Sequence, residues 1–155
     1  DPWGIALWPE WQGRDGCRTP MPWNEFKHNA GFTELEGMPW LPVCRKHYPL
    51  AVRQQEQEPN SMLNFTKEFL NWRKTQPVLW TGDIEFLRHE GDLLVFKREN
   101  EQGETLYCVF NLGEKDETYD LGVSESEPVY ALDGSASGST VSLSSFGFAI
   151  VSAAS

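Results

Sequence analysis

The first 58 residues combine many residues that shape the backbone with many large aromatic ones. Prolines occupy positions 2, 9, 20, 22, 39, 42 and 49, glycines occupy positions 4, 13, 16, 31 and 37, and no helical or strand periodicity persists. Proline fixes φ and glycine relaxes it, so this stretch predicts turns and loops. It also holds five tryptophans, Trp3, Trp8, Trp11, Trp23 and Trp40. A loop this long is uncommon and usually functional, and we expect it to pack on a surface outside this chain.

Residues 61–76 have a different pattern, that of an amphipathic helix. Apolar side chains recur at helical spacing, at Met62, Phe65, Phe69 and Trp72. Pro77 ends the helix because the residue before a proline avoids helical backbone angles. The width of the apolar face predicts one substantial packing partner.

From residue 78 onward the pattern is β. Seven short runs rich in Val, Leu, Phe and Tyr are separated by turn residues, at 84–88, 93–98, 105–111, 118–121, 128–132, 140–143 and 146–152. Such spacing is typical of an antiparallel sandwich or barrel. Charge changes at the same place: residues 1–77 hold nine basic and nine acidic side chains, whereas residues 78–155 hold four and fourteen. We therefore predict two parts, 1–77 and 78–155.

Composition excludes several classes of function. The net charge of −10 disfavours binding to nucleic acid or to anionic membrane surfaces, both of which need clustered Lys and Arg. No run approaches the roughly 18 apolar residues of a membrane helix. The chain begins at Asp1 without a methionine or a signal-like segment, so we expect an excised piece of a longer protein.

The cysteines and histidines suggest no metal or cofactor. Cys17, Cys44 and Cys108 lie far apart, which supports neither a zinc knuckle nor a disulfide framework and suits reduced thiols in a cytoplasmic protein. The three histidines are isolated, at positions 28, 47 and 89, and none has a neighbour at metal-ligand spacing. We expect no metal site and no cofactor.

The densest group of polar side chains lies in GRDGCRTPMPW, residues 13–23. Arg14 and Arg18 flank a glycine turn with Asp15, and Trp23 follows. Arginine offers planar, bidentate donors for carboxylates or sugar hydroxyls, and tryptophan offers a flat face to a pyranose ring. The alternative is structural: the two arginines pin the loop through ion pairs with Asp15 or a neighbour. The residues alone leave both interpretations open.

Several motifs resemble the C-terminal end of bacterial α-glucosidases, which belong to the α-amylase superfamily of glycoside hydrolases and include oligo-1,6-glucosidases. They are GRDGCRTPMPW at 13–23, NAGF at 29–32, PWLP at 39–42, QQEQEPNSMLNFTKEFLNWRKTQPVL at 54–79, LLVFKREN at 93–100 and LYCVFNLG at 106–113. The resemblance runs in order from Asp1 to about Gly113. Beyond that point the sequence is less specific.

This resemblance implies a mainly β fold. A C-terminal antiparallel Greek-key β-sandwich at 78–155 would follow a loop-rich segment and the last helix of a truncated (β/α)₈ barrel at 1–77. The stretch up to about Glu58 would be the loop after the eighth barrel strand, and Met62–Gln76 the last barrel helix. The tryptophan-rich loop would then have its packing surface on barrel strands that precede this segment.

The resemblance also implies which residues meet the substrate. In the family pattern the first arginine of RDGxRTPMxW, here Arg14, holds the terminal glucose together with a barrel aspartate, while Asp15, Arg18 and Trp23 shape the loop. The catalytic carboxylates of the family lie on earlier barrel strands, and neither a DGFR-like nor an NHD-like motif occurs here. We therefore predict no catalytic residue in this chain and no activity from the chain alone. The intact parent would be a retaining, exo-acting enzyme that removes terminal α-linked glucose from short oligosaccharides.

A stand-alone carbohydrate-binding or interaction module is the alternative. Such a module needs exposed aromatic side chains on one face of a β fold, whereas no tryptophan follows Trp80 and the strand aromatics are expected in the core. The resemblance implies two partners, an α-glucosidic oligosaccharide in the intact enzyme and the N-terminal barrel of the same protein. Exposed apolar side chains of the loop also predict association with a second copy.

Overall fold

The computed structural model describes residues 1–153. Contacts divide the chain into two units, the first Asp1–Asn71 and the second beginning at Trp72. This division falls within a helix, whereas the sequence places the boundary after Pro77. Each unit is described separately below.

The first unit contains short helices joined by irregular chain: α1 (Pro2–Ala6), 3₁₀ turns at Asp15–Cys17, His28–Gly31 and Arg45–Leu50, and α2 (Val52–Gln57). The two α-helices are an addition to the turns and loops predicted for this stretch. Helix α1 forms because Asp1 caps it, its carboxylate accepting from the Trp3 backbone N–H at 3.1 Å, and because Pro2 suits the first helical turn. Many large apolar side chains remain exposed in this unit, among them Met38 at 87%.

Helix α3 (Met62–Lys74) is the amphipathic helix that the sequence predicts. Ser61 begins it, its hydroxyl accepting from the Asn64 backbone N–H at 3.2 Å. Phe65 and Phe69 stack on one face with ring centroids 6.1 Å apart. The helix ends two residues before the predicted Gln76, and a short helix α4 (Val78–Thr81) follows Pro77.

The second unit is a six-stranded antiparallel sheet, as counted within residues 1–153: β1 (Asp83–Arg88), β2 (Leu93–Glu99), β3 (Thr105–Asn111), β4 (Glu117–Asp120), β5 (Ser126–Ser137) and β6 (Thr140–Ala153). The strand order is β1-β2-β3-β6-β4, and β5 also pairs with β6. Strand β6 pairs with β4 through residues 140–143 and with β3 through residues 148–152. The predicted antiparallel β fold is confirmed.

The predicted count of seven strands is wrong. The runs 140–143 and 146–152 belong to the single strand β6, and β5 extends through the residues predicted as a turn after Leu132. Both strands bend without ending: Asp133 and Phe146 have positive φ values of 51° and 57°, and the β5–β6 register shifts between Leu132 and Gly134. The Gly and Ser residues at such a bend are the same as those of a turn, so the sequence pattern predicts that the strand ends there.

Seven aliphatic side chains form the core of the sheet: Leu93, Val95, Val109, Val141, Leu143, Ala149 and Val151. They come from β2, β3 and both segments of β6, so the bend in β6 brings two parts of the sheet against one another. Within the described part of the chain, no helix has the length and apolar character needed to cross a bilayer.

Candidate functional site

Two glycines bring the beginning of the chain against the segment that leads to the arginine motif. A Cβ added at Gly4 would lie 2.8 Å from the carbonyl oxygen of Gln12, and one at Gly13 would lie 3.1 Å from Cβ of Asp1. Gly13 also has a φ of 77°, a conformation that favours glycine. As a result the Asp1 side chain lies beside Arg14.

The Asp1 carboxylate is the centre of this cluster, with only 1% of its side chain exposed. Its Oδ2 accepts a hydrogen bond from Nε of Arg14 at 2.7 Å and lies 3.8 Å from Nη1 of Arg18. Burying a carboxylate is costly unless it is paired and hydrogen-bonded. The two arginines supply that pairing, and both remain partly exposed themselves.

The guanidinium group of Arg14 makes one contact through its edge and another through its face. Its edge nitrogen Nε bonds Asp1, and its guanidinium carbon lies 6.0 Å from the ring centroid of Trp11. Among residues 1–153, Nη1 and Nη2 of Arg14 make no hydrogen bond, and 51% of the side chain is exposed. Two adjacent donors of a guanidinium are suited to a bidentate acceptor such as a carboxylate or a pair of sugar hydroxyls. The structural alternative also has support, since Arg14 does pin the loop, through Asp1 and not through Asp15.

Asp15 and Arg18 lie in the same cluster. The backbone nitrogen of Asp1 lies 2.6 Å from Oδ2 of Asp15, and Oδ1 of Asp15 is buried without a hydrogen-bond partner in the part of the chain that the structure describes. The backbone N–H of Arg18 donates to the Asp15 carbonyl at 3.0 Å, which closes the 3₁₀ turn. The loop-shaping role of both side chains stays a prediction.

Trp23 lies in a separate hydrogen-bonded turn. Its backbone N–H and that of Asn24 both donate to the carbonyl of Ala30, at 2.8 and 2.9 Å, and its own carbonyl accepts from the Arg53 N–H at 3.1 Å. Trp23 therefore links the turn at Ala30 to the beginning of α2, while its ring stays half-exposed. The structure thus groups Arg14, Asp15 and Arg18 around Asp1 and places Trp23 apart.

Sequence reasoning did not single out Asp1, Trp11 or the ion pair between Glu25 and Arg53. The Asp-Pro pair at the chain start carries a usable signal, because aspartate is a favoured helix cap and proline a favoured first residue. Glu25 is 10% exposed, its Oε1 lies 3.8 Å from Nη1 of Arg53, and its buried Oε2 has no hydrogen-bond partner within residues 1–153. Nothing in the local sequence marks that pair.

Metal-ligating side chains do not converge in the described region. Among residues 1–153, no group of three or more His, Cys, Asp or Glu side chains could hold a metal ion. The guanidinium groups of the Arg14 cluster can form charge-assisted hydrogen bonds to an oxygen-rich group.

Comparison with known proteins gives a consistent result. Residues 5–82, half of the chain, match the family described as alpha amylase, catalytic domain. The chain is 42% identical over 129 residues to a probable alpha-glucosidase of Rhizobium meliloti, covering 83% of this chain and 23% of that protein. It is 38% identical over 96 residues to a probable oligo-1,6-glucosidase of Bacillus subtilis, covering 61% of this chain and 17% of that protein.

Among solved structures, the chain is similar to the alpha-glucosyl transfer enzyme XgtA. The TM-score is 0.87 at 36% sequence identity, and the match covers 99% of this chain and 29% of that one. The chain thus spans less than a third of the length of the relatives that it matches.

Proposed function

Because this chain belongs to the alpha-amylase family, through the catalytic domain of that family, we propose that it is the C-terminal part of an enzyme that acts on α-linked glucose. The specific proposal is a retaining, exo-acting α-glucosidase that hydrolyses terminal α-linked glucose from short oligosaccharides. The relatives named alpha-glucosidase and oligo-1,6-glucosidase support the substrate class. A cytoplasmic location is part of the proposal.

One observation of the site carries the proposal: the guanidinium of Arg14 is fixed through Nε while its terminal nitrogens remain available. A sugar hydroxyl bound by such a group accepts a charge-assisted hydrogen bond, which is stronger than a neutral one. Loops at the C-terminal face of a (β/α)₈ barrel build the active site of such enzymes. We infer that Arg14 holds a hydroxyl of the terminal glucose, and that Asp15, Arg18 and Trp23 keep its loop in shape.

We further propose that the chain alone is inactive. Retaining hydrolysis needs two carboxyl groups about 5–5.5 Å apart around the scissile bond. The sequence contexts of the family's catalytic carboxylates do not occur in this chain. Incubation of the purified 155-residue chain with an aryl α-glucoside is expected to release no more phenol than buffer does. Turnover that survives repurification would contradict this expectation.

The experiment that tests the substrate role uses the full-length enzyme that contains this chain. Removing a charge-assisted hydrogen bond costs about 1.5–3 kcal/mol, so Arg14→Ala should lower kcat/KM by roughly 10- to 1000-fold once the stranded partner groups are included. Arg14→Lys should recover little, because lysine lacks the planar fork. Arg45→Ala is the matched control, since Arg45 is an exposed arginine outside the cluster. Wild-type kinetics for Arg14→Ala would refute the substrate role.

Transfer of glucose to an acceptor other than water is a second candidate, favoured by the likeness to an alpha-glucosyl transfer enzyme. The two reactions differ in the product formed from one donor. With an oligosaccharide donor and an added alcohol, hydrolysis releases free glucose, whereas transfer yields an alkyl glucoside. The ratio of the two products, measured by chromatography, decides between them.

We also propose that the chain has macromolecular partners: the barrel domain of the same protein and, in its absence, a second copy. The large apolar side chains exposed in the first unit support both, because contiguous exposed apolar surface promotes association. Sedimentation velocity over a range of concentrations is expected to show oligomers of the 155-residue chain. The alternative, a stand-alone carbohydrate-binding module, predicts instead a monomer that binds an α-glucan in affinity electrophoresis.

A further inference from the structure

The Asp1 carboxylate makes contacts with two separate parts of the first unit. It is almost completely buried, yet its Oδ2 lies at the junction of two arginines, 2.7 Å from Nε of Arg14 and 3.8 Å from Nη1 of Arg18. Its Oδ1 meanwhile accepts from the backbone N–H of Trp3. One side chain therefore links the beginning of α1 to the motif that carries the proposed substrate contact.

A guanidinium has two edges, and the edge that Asp1 uses decides where the other donors lie. Asp1 bonds Nε, so the terminal nitrogens of Arg14 lie farther out along a side chain that is 51% exposed. Trp11 limits rotation about the bond to the guanidinium, because its ring lies under the planar group at 6.0 Å. An arginine on a loop without these two contacts would sample many rotamers and lose conformational entropy on binding.

We propose that Asp1 is a positioning residue that orients the Arg14 guanidinium toward the glucose, assisted by Trp11. This inference rests on the proposed function and adds to it a residue outside the RDGxRTPMxW pattern. Asp1 does not touch the substrate. It acts through Arg14, by holding Nε so that the two terminal nitrogens are already in place when a hydroxyl arrives, which lowers the entropic cost of binding.

Asp1→Asn is an informative substitution because it separates two roles of the side chain. Asparagine caps a helix about as well as aspartate does, so α1 should keep its cap. The substitution removes the negative charge that pairs with Arg14. Glu10→Gln is the matched control, since Glu10 is an exposed acid of the same segment with no ion pair within residues 1–153.

The first measurement uses the 155-residue chain and is independent of enzymatic activity. Hydrogen exchange of the Arg14 Nε proton is followed by NMR, the resonance being assigned with Arg14→Lys. We expect Asp1→Asn to accelerate this exchange about tenfold or more, since a hydrogen bond to a charged group is lost, and Glu10→Gln to leave it unchanged. Unchanged exchange in Asp1→Asn would overturn the proposal. Trp11→Leu provides a second variant, expected to accelerate exchange less.

The second measurement is a double-mutant cycle in the full-length enzyme. If Asp1 acts through Arg14, Asp1→Asn should lower kcat/KM about tenfold in the wild-type background and by less than about twofold in the Arg14→Ala background. A merely structural role predicts the same loss in both backgrounds, and that result would overturn the inference. Kinetics unchanged by Arg14→Ala itself would instead refute the proposed function, and the positioning role of Asp1 with it, whatever the NMR exchange shows.

Discussion

Asn111 is expected to be the most sensitive buried polar residue of the sheet. It ends β3, is 2% exposed and uses all of its side-chain groups. Its Nδ2 donates to the carbonyls of Lys115 at 2.7 Å and Ser144 at 2.9 Å, and its Oδ1 accepts from the Gly113 N–H at 3.0 Å. Ser144 lies in the stretch of β6 between its two paired segments, so Asn111 satisfies a carbonyl that the strand ladder leaves out.

Asn111→Asp keeps the size of the side chain and changes only its hydrogen-bonding character. The acceptor for Gly113 remains, but both donors are lost and a carboxylate oxygen faces two carbonyl oxygens. With two hydrogen bonds lost at about 1 kcal/mol each, and unsatisfied buried groups costing about 1–3 kcal/mol, we expect the free energy of unfolding to fall by about 3–5 kcal/mol at neutral pH. Protonating the introduced carboxyl restores one donor, so the loss should shrink as the pH falls toward about 4.

Native-state amide hydrogen exchange in β3 and β6 is the suitable assay, because it reports on the second unit without assuming that the whole chain unfolds in one step. Gln102→Glu serves as the control, an exposed amide replaced by its acid in the same unit. A change below about 1 kcal/mol in Asn111→Asp, or a loss that grows on acidification, would refute the reasoning from the hydrogen-bond network.

Two further predictions concern titratable groups. Burial raises the pKa of the Cys108 thiol to about 12. Iodoacetamide at pH 8 should therefore label the exposed Cys17 and Cys44 rapidly, and Cys108 only at the rate at which the sheet opens. Peptide mass spectrometry measures the labelling of each cysteine. Hydrogen bonds from the Gly122 backbone N–H and from the Ser139 hydroxyl lower the pKa of Asp120. A carboxyl with a depressed pKa contributes stability above its unfolded pKa of about 3.9 and loses it as the pH falls through the folded value. Asp120→Asn should therefore flatten the acid side of the stability–pH curve measured by urea unfolding, and an unchanged curve would contradict this.

The sequence predicts those features whose cause is local. Helix α3 follows from the spacing of Met62, Phe65, Phe69 and Trp72, and Pro77 limits it. The β character of the second unit follows from short apolar runs between turn residues. The single strand β6 is not predictable in this way, because its bend at Ser144–Gly147 uses the same glycine and serine residues as a true turn. The hydrogen bonds at the bend have partners distant in sequence, Asn111, Gly113 and Asp116.

The candidate site also contains residues that local sequence can select and one residue that it cannot. The arginine motif is a cluster along the chain, so local spacing is enough to select Arg14, Asp15 and Arg18. Asp1 cannot be selected in this way, since its proximity to Arg14 depends on two glycines, Gly4 and Gly13, that allow backbone segments to touch. Its hydrogen bond to Arg14 joins residues 13 positions apart, and close backbone approach of that kind leaves no periodic signal in the sequence.

The aromatic side chains of the strands bear on the choice between an enzyme part and a binding module. Phe86, Phe96, Phe110 and Phe148 form a row of cross-strand contacts with ring centroids 5.7–5.9 Å apart. Their ladder partners place them on the face opposite Val95, so the expectation that they join the main core is wrong.

The cause lies in runs of consecutive apolar residues such as 93–96 and 106–110, which supply apolar side chains to both faces at once. A sheet of that composition is built to be covered on both sides. On the second face Cys108 and Ile150 are already buried. Sugar-binding platforms need aromatic faces turned outward, whereas rings in a cross-strand row direct much of their faces toward one another. The row therefore favours a domain whose second face is a packing surface, as in a part of a larger enzyme, over a free-standing carbohydrate-binding module.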